Sequence, residues 1–332
     1  MYELQRTTNV RASGLGKRYG DLWALRDLDL EAEAGSVLGL LGHNGAGKTT
    51  TIRLLTTLAT PTTGTAEVAG HDVVTEGDRV RSQIGVASQA ATVDGLMSGR
   101  ANLEMVGRLY HLPPAVARDR ADELLARLGL EDASDRLVKT YSGGMRRRLD
   151  LAAAIVASPP VIFLDEPTTG LDPAARRDLW DLMRELVGDG ATLVLTTQYL
   201  EEADALADHV IVLDHGEVAA AGSPPELKRR IGGERLEVVL TDAAEVDPAR
   251  DALIRFADGA IDVEPDAGRL TMPLVSDVGL MEVMRALDAA GVDAHDLNRR
   301  EATLDDVFLT LTEKPHVADS PETTTTKEEV AV

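Results

Sequence analysis

The chain of 332 residues contains no cysteine, which excludes a disulfide scaffold, a thiol nucleophile and thiolate-held metal and agrees with a reducing compartment. Aromatic residues make up only 3% of it, so the core must be aliphatic and a tyrosine or tryptophan at a suggestive place is more informative than usual. No apolar run approaches the ~20 residues needed to cross a bilayer. Runs such as Val37–Leu41 and Val161–Leu164 have the length of buried strands. Met1–Val10 lacks an apolar signal region, so the expectation is a cytosolic chain that reaches a membrane only through a partner. Positive charge is also scarce: 34 Lys and Arg face 56 Asp and Glu, a formal net charge of -22. That argues against nucleic acid as the main partner, because phosphate neutralisation needs clustered Lys and Arg, and it reads most simply as solubility.

From its start to about residue 222 the chain alternates β-rich and helix-like runs, the pattern of an α/β domain with a largely parallel sheet. Ser36–Leu41 reads as a buried strand and Gly47–Leu58 as the helix after it, closed by the turn at Pro61–Gly64. Ile84–Ala87 is a further short strand. Between about residues 98 and 158 the β signal vanishes, and Arg118–Leu128 and Met145–Ala157 show helical spacing, which marks a helical subdomain. Strands resume at Val161–Leu164, Thr192–Leu195 and Val210–Leu213, with a helix at Ala174–Leu186, so this domain is expected over residues 1–225. After Gly222-Ser223-Pro224-Pro225 the texture changes. Strands at Leu236–Leu240, Ile261–Val263 and Arg269–Leu274 and helices at Asp247–Phe256 and Val278–Ala289 predict a small α+β domain over 233–312. Its order β-α-β-β-α suggests a ferredoxin-like sandwich. Residues 313–332 lack apolar periodicity and read as a disordered tail.

Gly42-His43-Asn44-Gly45-Ala46-Gly47-Lys48-Thr49 matches G-x-x-x-x-G-K-[ST] between a strand and a helix, the context that motif requires. Its glycines let backbone N–H groups face phosphate oxygens, and the helix start adds a positive dipole end. Lys48 would neutralise the β- and γ-phosphates, Thr49 would hold Mg²⁺ through its hydroxyl, and Thr50 follows in the first turn. An ordinary glycine turn is the competing reading, and the flanking elements disfavour it. Val161-Ile162-Phe163-Leu164-Asp165-Glu166 is an apolar strand ending in two carboxylates. Asp165 suits the Mg²⁺ shell and Glu166 suits polarising the water that attacks a γ-phosphate. Strands often end in acidic residues for solubility alone, so this signal gains its weight from the loop upstream. Tyr141-Ser142-Gly143-Gly144-Met145 precedes a helix. A hydroxyl, bare glycine amides and a helix N-terminus make either an anion site or a capped surface helix.

With Ser142-Gly143-Gly144 lying between the loop and the paired carboxylates, residues 8–222 resemble the ATP-binding cassette family, whose signature has the form L-S-G-G-Q; Tyr141 and Met145 depart from it at the two ends. The resemblance implies a P-loop NTPase fold with a helical insert and ATP and Mg²⁺ as ligands. It implies that Tyr19 stacks on adenine, that Gln89 touches Mg²⁺ or the attacking water and faces a membrane partner, and that Asp172 lies against an opposite subunit. Asp172 also reads as a helix N-cap before Pro173. Because one chain has one loop and one signature, the resemblance implies two copies meeting head to tail. Gln198 stands where family members usually carry a histidine. Its amide can donate to phosphate but carries no proton or positive charge, which leaves water activation to Glu166. Arg146-Arg147-Arg148 reads as a solvated face, and the seven histidines, His43, His209 and His215 among them, show no metal-ligand spacing.

Residues 141–150, 196–200 and 304–309 together resemble the daunorubicin and doxorubicin resistance exporter ATPases of actinobacteria, which extends the likeness to about residue 312. This implies an exporter subunit at the cytoplasmic face of the membrane, driving a separate integral membrane permease for amphipathic drugs, antibiotics or lipids. Leu304–Leu309 reads as a core helix of the small domain or as a contact that pairs subunits or docks the permease. The alternative is a soluble ATPase of the same family acting on ribosomes or DNA; a single phosphate loop, no coiled coil and the acidic charge weigh against it.

Overall fold

The computed structural model describes residues 8–88, 92–231, 234–275 and 278–312. Gln89 and the stretch 313–332 read above as a tail lie outside them. Strands β1 (Thr8–Tyr19) and β2 (Leu22–Glu33) form a long hairpin, β3 (Val37–Leu41) runs into helix α1 (Lys48–Leu55), and β4 (Thr63–Val68) with β5 (His71–Asp72) returns to the hairpin. After α2 (Gly77–Gln83) and β6 (Ile84–Ala87) come three helices, α3 (Gly99–Leu109), α4 (Pro114–Arg127) and α5 (Gly143–Ile155). Then follow β7 (Val161–Asp165), α6 (Pro173–Gly188), β8 (Thr192–Thr197), α7 (Leu200–Leu206), β9 (His209–Asp214), β10 (Glu217–Gly222) and α8 (Pro224–Arg230). The remainder is β11 (Glu234–Leu240), α9 (Val246–Leu253), β12 (Asp262–Glu264), β13 (Arg269–Pro273), α10 (Leu280–Ala289), β14 (Ala294–Glu301) and α11 (Leu304–Thr312).

Three sheets result. The central one has the order β10-β9-β3-β8-β7-β6 and is parallel apart from β10. Its inner strands β3, β7 and β8 are buried along their whole length because both faces are covered. Along β7, Val161 and Phe163 enter the core shared with the antiparallel sheet β2-β1-β4-β5, while Ile162 and Leu164 enter the core shared with the helices. Burying a side chain such as Phe163 contributes roughly 1.5–3 kcal/mol. The loops after β3, β7 and β8 all leave at the carboxyl edge of this sheet, where open α/β sheets bind ligands.

The β1–β2 hairpin carries no clear strand pattern in the sequence because Arg11, Lys17, Asp27, Asp29 and Glu31 interrupt its apolar positions and its register slips at four places. The third sheet, β12-β13-β11-β14, is antiparallel throughout and carries α9 and α10 on one face around Leu236, Val238, Leu253, Leu270 and Val283. The arrangement is βαββαβ, the ferredoxin-like sandwich expected, completed by β14. That strand has no strand-like signal in the sequence, because Ala294–Glu301 is polar and forms an exposed sheet edge.

Helix α11 departs from its reading as a core helix of the small domain. Leu304 and Val307 are buried with Leu41 of β3, Ala203 of α7, Val210 and Val212 of β9 and Leu227 of α8. The helix therefore packs against the first domain and not in the core of the small one. Buried charges hold it: Arg300 donates to both Asp306 oxygens at 2.6 and 3.1 Å, Thr303 donates to Asp306 from N and Oγ1, and Arg235 reaches Thr310. Burial works against the Asp306 carboxylate, yet the Arg300 and Thr303 hydrogen bonds hold it below the usual aspartate range.

Candidate active site

The loop between β3 and α1 winds through three left-handed glycines, Gly42 (φ 155°), Gly45 (φ 87°) and Gly47 (φ 111°). Two of them are also forced by space. A Cβ on Gly42 would lie 2.4 Å from the Leu213 carbonyl oxygen, and one on Gly47 would lie 2.9 Å from that of Ala24. Lys48, buried at the first position of α1, donates from Nζ to the carbonyls of Gly42 (2.7 Å) and His43 (3.1 Å) and lies 3.7 Å from Glu166 Oε1. Burial lowers the Lys48 pKa from the ordinary lysine value, against the pull of the Glu166 and Asp165 charges. Thr49 Oγ1 stands 3.2–3.3 Å from the Asp165 carboxylate oxygens. The Gly42–Thr49 loop and the carboxylates at the end of β7 thus form one cluster although 116 residues separate Thr49 from Asp165.

The two carboxylates are fixed differently. Thr196 Oγ1 donates to Asp165 Oδ1 at 2.6 Å and accepts from the Glu166 N–H at 3.0 Å, so a single hydroxyl on β8 orients both residues. Glu166 itself sits at φ 50°, a left-handed conformation that costs a non-glycine residue ~1 kcal/mol or more and persists only when its surroundings impose it. Arg147 helps to impose it. This residue, read in the sequence as part of a solvated face, is mostly buried: Nη2 donates to the carbonyls of Asp165 and Glu166 at 2.9 Å, Nε to Pro167 at 2.7 Å and Nη1 to Ser88 at 2.7 Å. Asp150, fully buried one turn later, lies 3.6 Å from Arg147 and accepts from the Thr92 N–H and hydroxyl. Ser88 and Thr92, which flank the Gln89 segment, are therefore tied to α5 and through it to Glu166. The signal in the sequence was Asp150, a lone acid in the apolar run Leu149–Ala154.

The other residues singled out fall around this cluster. Ser142 caps α5 by accepting from the Met145 N–H at 3.2 Å, Gly143 borders open space and Gly144 meets Leu171, so Ser142-Gly143-Gly144 and the loop bearing Asp172 form one surface. Asp172 caps α6 by accepting from Ala174 and Ala175, which lowers its pKa. Gln198 is exposed just after β8. Behind it Glu202, buried, accepts from the indole N–H of Trp180 at 3.1 Å and has its pKa raised by burial. Tyr19 is 48% exposed at the tip of the hairpin whose β2 strand abuts Gly47. Asn44 and Gly45 are exposed and Thr50 half-buried.

An ammonium, a hydroxyl and two buried carboxylates at a glycine cradle suit the hydrolysis of a polyphosphate. Residues 25–169 match the ABC transporter family, and residues 222–312 match the C-terminal domain of ATP-binding proteins of the DrrA1-3 type. The chain is 51% identical over 92% of its length, and 96% of the relative's, to daunorubicin resistance ATP-binding protein DrrA3 of Streptomyces coeruleorubidus. It is 46% identical over 98% of its length, and 99% of the relative's, to daunorubicin/doxorubicin resistance ATP-binding protein DrrA of Streptomyces peucetius. Among solved structures, an ATP-binding subunit of an ABC transporter superposes with a TM-score of 0.63 at 28% identity, covering 68% of this chain and 94% of that one. Among the described residues no helix is long and apolar enough to cross a membrane. The likeness in both halves of the chain, together with the chemistry at Lys48, Asp165 and Glu166, makes it a member of the ABC transporter family, an ATP-hydrolysing subunit of the exporter type.

Proposed function

We propose that the Gly42–Thr49 loop holds the phosphates of ATP, that Glu166 polarises the attacking water, and that Gln198 donates to the γ-phosphate. The observation that carries this is the shared Thr196 hydroxyl: it aims Asp165 at Thr49 and Glu166 toward Lys48. Thr49 Oγ1 and the buried Asp165 carboxylate converge as hard oxygen donors of the kind that suits Mg²⁺, and these two residues would hold it. When bound, that ion neutralises charge on the phosphate oxygens. Tyr19 stacks on the adenine, worth roughly 1–3 kcal/mol with little base discrimination.

Two copies work head to tail, the Ser142-Gly143-Gly144 surface of each closing over the nucleotide held by the other, with Asp172 beside it. ATP joins the copies and hydrolysis releases them. The stroke passes to a separate permease at the cytoplasmic face of the membrane, through the Gln89 segment and the helical subdomain. Exposed Leu96, Leu109 and Val116 there support a docking face for a permease helix. The relatives named for daunorubicin support bulky amphipathic compounds as cargo. Affinity purification of tagged Glu166→Gln chain from gently solubilised native membranes with Mg-ATP should recover a polytopic membrane protein; recovery of ribosomal or only soluble proteins would refute the transport role.

A further inference from the structure

We propose that His43, Asp214 and His215 form a binding site for a divalent ion of the zinc, cobalt and nickel class, separate from the Thr49–Asp165 pair, which ties the phosphate loop to the β9–β10 turn. The sequence gives no hint of it, because His43 and Asp214 are 171 residues apart. Topology brings them together: β3 and β9 are parallel neighbours, so the loop leaving one and the turn leaving the other emerge side by side. The backbone already joins them, with the Gly216 N–H donating to the Ala46 carbonyl at 3.1 Å.

The ligand atoms are spaced for an ion. One atom from each of the three residues can be chosen so that all lie within 4.8 Å of one another. His43 Nε2 is 2.9 Å and His215 Nε2 3.8 Å from Asp214 Oδ1. These distances bracket the roughly 3.4 Å between ligand atoms around a tetrahedral zinc ion with bonds near 2.1 Å. The two rings meet edge to face with centroids 5.0 Å apart.

Hydrogen-bond accounting at His43 points the same way. Its Nδ1 lies 2.7 Å from the Asn44 carbonyl oxygen, which can only accept, so Nδ1 carries a hydrogen. In the neutral ring Nε2 then presents a lone pair to the Asp214 carboxylate at 2.9 Å, two acceptors face to face. A cation between them removes the conflict, and a carbonyl-to-imidazole-to-metal chain is how metal-bound histidines are commonly oriented. Two imidazoles and one carboxylate favour zinc, cobalt or nickel over Mg²⁺ or Ca²⁺, which prefer oxygen donors throughout. His215 is largely exposed, so the site is an open three-ligand one. Because the His43 carbonyl also accepts from Lys48, an ion fixing His43 is linked to the loop that holds phosphate; ion and ATP then alter each other's affinity by the same factor.

The test uses the full chain without a histidine tag and without nucleotide, titrated with Co²⁺ and followed by visible absorption. A single Co²⁺ per chain is expected to develop the intense band of a low-coordinate ion, to be displaced by equimolar Zn²⁺, and to ignore excess Mg²⁺. His215 has φ 46°, a conformation asparagine tolerates, so His215→Asn keeps the turn and should weaken Co²⁺ binding roughly tenfold or more. ATPase activity without added Co²⁺ or Zn²⁺ should stay at the wild-type level, which shows that the variant is folded. His111→Asn, at φ 62° on another surface, is the matched control and should change nothing. No Co²⁺ band, or a band indifferent to His215→Asn, would overturn the site and leave His43 as a ring hydrogen-bonded between Asn44 and Asp214.

Discussion

Glu166 is buried, its backbone held left-handed, and lies close to Lys48. If it polarises the attacking water as proposed, Glu166→Gln should lower kcat by about 10²–10⁴-fold while ATP still binds, read by phosphate release and nucleotide-binding titration. Gln198→Ala should reduce hydrolysis by a smaller factor, since Gln198 offers one neutral hydrogen bond; a Gln198→Ala defect as large as that of Glu166→Gln would move water activation to Gln198. Arg147 acts through the backbone it holds. Arg147→Lys keeps the charge but cannot reach four carbonyls at once, so kcat should fall with KM little changed. Arg147→Ala leaves Asp150 buried without its partner and should cost about 3–5 kcal/mol in denaturant unfolding. The motif residues were legible because phosphate chemistry requires particular residue types at fixed spacing. Arg147 was not, because three consecutive arginines look alike until the fold shows that the middle one points inward.

At the scale of elements, α11 carries a testable consequence. Leu304 shares a cluster with Leu41 of β3, so Leu304→Ala should destabilise the chain by about 2–5 kcal/mol, read as a lower denaturant midpoint for the nucleotide-binding half as well as the small one. Its charge network adds a pH dependence. Because the folded Asp306 pKa lies below its unfolded value, its contribution is present above the unfolded pKa of about 3.9 and is lost as pH falls through the folded value. Asp306→Asn should therefore flatten the acid limb of thermal stability, measured from neutral pH downward. The elements the sequence revealed were those buried on two faces, such as β3, β7 and β8, whose apolar runs admit few readings. Those it hid were polar or one-sided, the hairpin and the edge strand β14, while α11 is legible as a helix whose apolar stripe announces burial without saying against which partner.

For the whole molecule, the distribution of parts matters more than any one of them. The phosphate loop and the Ser142-Gly143-Gly144 surface sit on one chain, and each is proposed to act on a nucleotide shared with a second chain. The absence of cysteine makes this directly accessible, since introduced thiols are the only ones present. Single-cysteine chains Asn44→Cys and Ser142→Cys, each carrying Glu166→Gln, are mixed with Mg-ATP and a mild oxidant and resolved without reductant. Head-to-tail pairing predicts a disulfide-linked dimer that forms in the mixture, depends on ATP and is absent from either variant alone; a dimer in one variant alone, or none in the mixture, contradicts it.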